Sequence, residues 1–153
     1  MKIKVTGLKE IEAQMKNLTR AASKGAARRA AVSAMQPMAK LAASLAPDDP
    51  RTGAPDLHRS IEVSSSSKPG RSVAKLFEGP TQVNVFMGPT SGGYPQAIFQ
   101  EFGTYKEPAQ PYMRPAWDQD KMALLDRLKD NLWSEVQKAV GRAARKAARA
   151  AKG

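Results

Sequence analysis

From Leu8 the apolar side chains fall at Leu8, Ile11, Met15, Leu18 and Ala22. Steps of three and four predict an amphipathic helix, since they place those groups on one face. Ahead of it, residues 2–6 alternate polar and apolar, which suits a short strand or an extended lead-in. Gly25 is a weak point in the helix. The pattern then resumes through Ala31, Met35, Ala39, Ala42 and Leu45 and stops before Pro47. Pro37 lies inside this run and predicts a kink or a restart, because proline lacks a donor and clashes with the preceding turn. The abundant alanine lets a second helix approach closely, or simply reflects high helix propensity. Residues 48–60 are turn-rich. Strands are expected over 61–63, 73–77 and 82–87, with a polar, disordered hairpin tip over 64–72 and a turn at 78–80. Val83, Val85 and Met87 alternate with Gln82, Asn84 and Phe86, as in an antiparallel sheet with one face buried. Residues 88–95 read as a loop.

In YPQAIFQEF, residues 94–102, Ala97, Ile98 and Phe102 lie roughly on one face of a short helix or turn. A loop over 103–115 follows, holding Pro108, Pro111 and Pro115. Each proline fixes its own φ and biases its predecessor away from the helical basin. The loop is therefore expected to be stiff and extended, with Tyr105, Tyr112 and Met113 pointing outwards. From Asp118 a long helix follows, its stripe made of Met122, Leu125, Leu128, Leu132, Val136 and Val140, widened by Leu124 and Trp133. Leu125, Leu128 and Leu132 are expected to face the sheet. The fold class is α+β: a long N-terminal helical region, a small antiparallel β-sheet, a proline-rich loop and a long C-terminal amphipathic helix. Residues 1–140 form one domain. Residues 141–153 form a basic helical tail, expected to be mobile because so little apolar surface holds it.

The segment EFGTYKEPAQPYMRPA carries a more specific signal. Glu101, Phe102, Gly103 and Thr104, then a short gap, then Pro108, Ala109, Gln110, Pro111, Tyr112, Met113, Arg114, Pro115 and Ala116 resemble the signature of a phage family. These are the small neck or tail-completion proteins of long-tailed, lambdoid phages, called the gene-product-ten family. Its members usually carry Phe where this chain has Tyr112. Thr52, Gly53, Leu57, Ser60 and Ile61 also resemble a family pattern, here with Ala54, Pro55 and Asp56 lengthening the gap. The resemblance spans most of the chain. It implies a virion structural protein, assembled in the host cytoplasm, that joins or completes the tail at its head-proximal end. It further implies a homo-oligomeric ring, for example a hexamer, around the DNA channel and in contact with other neck and tail proteins. In that reading Glu101, Phe102, Gly103, Thr104, Pro108, Pro111, Tyr112, Met113, Arg114 and Pro115 form a protein-docking loop.

Charge adds a second candidate. There are 25 Lys and Arg against 14 Asp and Glu, a formal +11. Residues 1–40 carry nine positive and two negative side chains, and residues 141–153 five positive and none negative. The middle is close to neutral, so the surplus sits on the two ends. Arg142, Arg145, Lys146 and Arg149 share one helical face, with Lys152 beyond them. Such a face suits DNA phosphates or an acidic protein surface, which leaves a non-specific basic DNA-binding protein as the alternative function.

Catalytic chemistry finds little support. With no cysteine and one histidine, His58, thiolate metal sites and histidine-based triads have no donors. Asp48, Asp49 and Asp56 do not match a calcium loop. The sequence GPTSGG lacks the lysine and glycine spacing of a phosphate-binding loop, and Glu101 with Glu107 has no sugar-binding scaffold around it. A hydrolase with an unrecognised site is the remaining enzyme reading. No enzyme activity, cofactor or metal is expected, nor any membrane contact, since no segment approaches the apolar length of a span.

Overall fold

The computed structural model describes residues 8–16, 18–47, 57–65, 82–90 and 94–151. The expected strands over 2–6 and 73–77, the turn at 78–80, the hairpin tip beyond residue 65 and most of the 48–60 linker lie outside these residues. In chain order the described elements are α1 (Leu8–Lys16), α2 (Arg20–Leu45), α3 (Leu57–Ser60), β1 (Ile61–Ser64), β2 (Phe86–Pro89), α4 (Tyr94–Phe102) and α5 (Met113–Ala150). The fold is α+β, dominated by helix, with a two-stranded antiparallel sheet in which Ile61 pairs with Pro89 and Ser64 with Phe86. The second strand starts four residues later than the alternation predicts and takes in Gly88 and Pro89.

The helical region expected from Leu8 to Leu45 is divided ahead of Gly25, α1 ending at Lys16 and α2 starting at Arg20. Thr19 is extended there, and its Oγ1 accepts the Ala22 N–H at 3.3 Å, which satisfies one of the free donors of the first turn. Ser23 ties the two helices together by donating its hydroxyl to the Met15 carbonyl at 3.1 Å. Gly25 and Pro37 both sit within α2. Proline cannot donate to the carbonyl four residues back and crowds that turn. In that same turn the Ala34 carbonyl accepts Arg127 Nε from α5 at 3.1 Å. Arg127 is itself held by both oxygens of Asp120.

α2 is the centre of the molecule: α5 runs antiparallel along it, and β1, β2 and α3 pack against it as well. The leucine stripe of α5 therefore meets α2 and α1 where the sheet had been expected. The buried line of α2 is Ala26, Ala30, Ala34, Met38 and Ala42, with Ala39 beside it. Ala31 and Met35 are only half-buried, and Leu45 is exposed. Small side chains every fourth residue let the two helices approach closely, the packing alanine had suggested. Two apolar clusters bracket the pair. Ile11, Ala26, Val136 and Ala139, backed by Met15, Leu18 and Leu132, close one end. Ala42, Leu57, Ala97, Tyr112 and Ala116, backed by Ile61, Met87 and Met113, close the other.

α5 starts at Met113, five residues before Asp118, and continues unbroken through Gly141 to Ala150. Its 38 residues span about 57 Å at 1.5 Å per residue. Pro115 is therefore its third residue. It fits because the first turn's N–H groups have no partner within the helix.

Candidate functional site

α4 and the start of α5 are joined by a ten-residue loop whose ends are tied. Gly103 closes α4 with φ +75°, and its N–H donates to the Phe99 carbonyl at 2.7 Å. A Cβ at Gly103 would stand 2.8 Å from Ala109 N and 3.1 Å from the Glu107 carbonyl oxygen. Both the left-handed backbone and the close approach thus require glycine. Across the loop, Thr104 N–H donates to the Glu107 carbonyl at 2.9 Å, and Gln110 N–H to the Gln100 carbonyl at 2.8 Å. Thr104 Oγ1 accepts the N–H groups of Lys106 and Glu107 at 3.2 and 3.1 Å. Pro108 and Pro111 have no N–H to contribute, so these neighbours supply the closure.

Glu101 then anchors α5 to α4. One carboxylate oxygen accepts the N–H groups of Tyr112 and Met113, both at 2.9 Å. The other accepts Arg114 N–H at 3.2 Å and Arg114 Nε at 2.9 Å. Arg114 Nη2 donates in turn to the Glu101 backbone carbonyl at 2.7 Å. The N-cap residue of α5, Tyr112, makes no side-chain cap bond of its own. An acid from the preceding helix does that work, and its charge also favours the positive end of the α5 dipole. Burial alone pushes the Glu101 carboxyl up. The Met113 and Tyr112 N–H groups and Arg114 outweigh it and hold the pKa below the usual carboxylate range.

These contacts correct the expectation that Tyr112 and Met113 point outwards. Tyr112 is 1% exposed and lies in the cluster with Ala42, Leu57, Ala97 and Ala116; Met113 is half-buried against it. Burial, with the nearby Glu101 charge, raises the Tyr112 pKa. Within the sequence-derived docking set, Glu101, Gly103 and Tyr112 thus build the scaffold. Phe102, Thr104, Pro108, Pro111 and Arg114 are exposed, and Pro115 is half-buried. Phe102 is 69% exposed beneath the Arg114 guanidinium, 5.2 Å from its ring centroid. Tyr105, at 92% exposure, carries Lys106 5.4 Å from its ring centroid. Phe99 and Trp117 are each more than half exposed, and Ile98 nearly so. Phe99 was legible only as an excess, for 94–102 carries more apolar groups than one short helix face can bury. Trp117 follows once α5 is known to start before it.

The basic candidates lie at the far end of α5. Beyond Val140 the helix overhangs the other described elements, and residues 142–150 are all exposed, including Arg142, Arg145, Lys146 and Arg149. Lys152 lies outside the described residues. Glu135 is the last acid in the chain. It is held by Arg29 at 2.6 Å and by Lys138 at 3.0 Å, contacts that lower its pKa. His58 is half-buried on α3. Among the described residues no three His, Asp or Glu side chains gather where they could hold a metal ion, and no helix is long and apolar enough to cross a membrane. No family model, curated protein or solved structure matches this chain.

Proposed function

We propose that this chain is a structural virion protein of a tailed phage or prophage, a neck or tail-completion subunit that joins tail to head. In this reading it works as part of a homo-oligomeric ring around the DNA channel, in contact with neighbouring neck and tail proteins. The observation that carries the proposal is the build of residues 101–116, the segment that resembles the neck-protein signature. Its most buried members, Tyr112 among them, tie α4, the loop and α5 into one unit, and its other two aromatics, Phe102 and Tyr105, stand outside. Loop and side chains are already ordered by Glu101, Gly103 and Thr104, so docking them loses little conformational entropy. Large aromatics held in place are the groups from which interface hot spots are made. A permanent joint needs these properties and no chemistry.

The test is immunogold electron microscopy of particles released by cells that encode the protein, with an antibody raised against the purified chain. Label at the head–tail junction or the head-proximal end of the tail is expected. Particles and tails free of label, with the protein wholly in the soluble fraction, would overturn the proposal.

A further inference from the structure

The last turns of α5 form a second surface, at the opposite end of the helix from the aromatic loop. We propose that this overhang is a binding element for the phosphates of duplex DNA, carried by Arg142, Arg145, Lys146 and Arg149. The inference does not rest on the neck reading, because it concerns an affinity of the purified chain wherever the protein works.

Three observations lead to DNA. The first is charge. The four cations are exposed, and no acid follows Glu135 to neutralise them. From Arg142 to Arg149 the helix rises about 10.5 Å at 1.5 Å per residue. One DNA strand carries a phosphate about every 3.4 Å of axis. Cations and phosphates therefore occur at similar density, and each side chain has an anion within reach.

The second is what stands between the cations. Positions 143, 144, 147, 148 and 150 are all alanine. Alanine leaves the helix slim enough to lie against a duplex, yet provides none of the large apolar anchors that protein interfaces use. Three of the four cations are arginine, whose planar fork matches phosphate oxygens. A second copy of the chain is a poorer match. On α5, Asp118, Asp120 and Glu135 are already paired within the chain, and among the described residues of that helix only Asp126 and Asp130 are acids exposed without an ion pair. Two copies of a chain with a formal charge of +11 also repel each other.

The third selects duplex over single strand and removes sequence preference. No Phe, Tyr or Trp follows Trp133, so the overhang offers no ring for an unpaired base to stack on. Alanine and phosphate-directed arginine do not read base edges.

Four phosphate contacts give a slope of log K against log salt of about −3.6, which weakens binding about 10²-fold between 50 and 200 mM salt. The experiment measures binding of the full chain to a labelled 30-base-pair duplex across that range by fluorescence anisotropy. The R142Q/R145Q/K146Q/R149Q variant keeps comparable helix propensity and should flatten the slope by about 3.6. The R142K/R145K/R149K variant keeps the charge and should keep the slope. K40Q/K106Q/K121Q, which removes exposed cations from the aromatic end, should change it by less than about 1. Equal slopes for the intact chain and the glutamine variant would overturn the proposal. So would a flattened slope in the lysine variant, since charge would then not be what binds. Tighter binding to poly(L-glutamate) than to duplex at equal anion concentration would assign the overhang to an acidic protein surface instead.

Discussion

Glu101→Gln tests the idea that a carboxylate borrowed from α4 caps α5. The wild-type carboxylate accepts three backbone N–H groups and Arg114 Nε. Glutamine leaves one carbonyl oxygen, which can accept two donors, and removes the charge facing the helix N-terminus. Hydrogen bonds to a charged group each contribute about 1.5–3 kcal/mol, and a buried donor left unmet costs about 1–3 kcal/mol. Of the three N–H groups only that of Tyr112 is buried; those of Met113 and Arg114 are partly buried and can turn to water. The Arg114 side chain is largely exposed, so it too recovers hydration. The expected loss is about 2–3 kcal/mol for Glu101→Gln and about 3–5 kcal/mol for Glu101→Ala.

Urea melts read as a function of pH separate this account from a packing effect. The folded pKa of Glu101 lies below its ordinary value. The unfolded chain therefore binds this proton first as pH falls, and the carboxylate's contribution is complete only above the unfolded pKa of about 4.3. The gap between wild type and Glu101→Gln should be flat above about pH 5.5 and shrink as pH falls through the folded pKa. A gap under about 0.5 kcal/mol at neutral pH, or one that widens on acidification, would refute the capping argument.

Tyr112→Ala removes a fully buried ring and should cost about 3–5 kcal/mol, measured by the same melts. Tyr112→Phe should cost far less at neutral pH and also abolish the stability loss that the raised tyrosine pKa predicts as pH rises past about 10. Gly103→Ala puts a Cβ against the Ala109 backbone in a left-handed conformation and should cost more than about 1 kcal/mol. Gly141→Ala meets nothing within 4 Å and should strengthen the helix by about 0.5–1 kcal/mol, read as slower amide exchange over residues 138–148.

Helices with large apolar groups at a clear period were legible in the sequence, and the antiparallel pairing was too. The phase of α2 was not. Burying Ala30 or Ala31 gains nearly the same area, so the pattern carries almost no phase information and the partner helix decides. The start of α5 was hidden because Pro111 and Pro115 read as loop, although proline is at home in a helix's first turn. Past Gly141 the expected helical tail continues α5 without a break, since one glycine costs a helix only about 1 kcal/mol, which the alanine run offsets. For Glu101 the sequence pattern shows its place in the segment and not its capping of α5. Nothing local says that its partners lie at residues 112–114, because the loop that brings them together is set by tertiary geometry.

This difference between scaffold and surface bears on how the 101–116 segment can resemble a docking signature at all. A motif read as contact residues is here two interleaved sets. Glu101, Gly103 and Tyr112 face inwards or bind backbone, and changing any of them should damage the subunit before it damages an interface. Phe102 and Tyr105 face out, and the free subunit loses little when they are removed, since solvent already surrounds them. The segment stays ordered because its inward members are satisfied within the chain, which leaves the outward rings held in position with no stabilising role of their own. Rings in that condition add exposed apolar surface at the α4–α5 corner and nothing to the fold, which is the physical ground for reading that corner as the place where another protein sits.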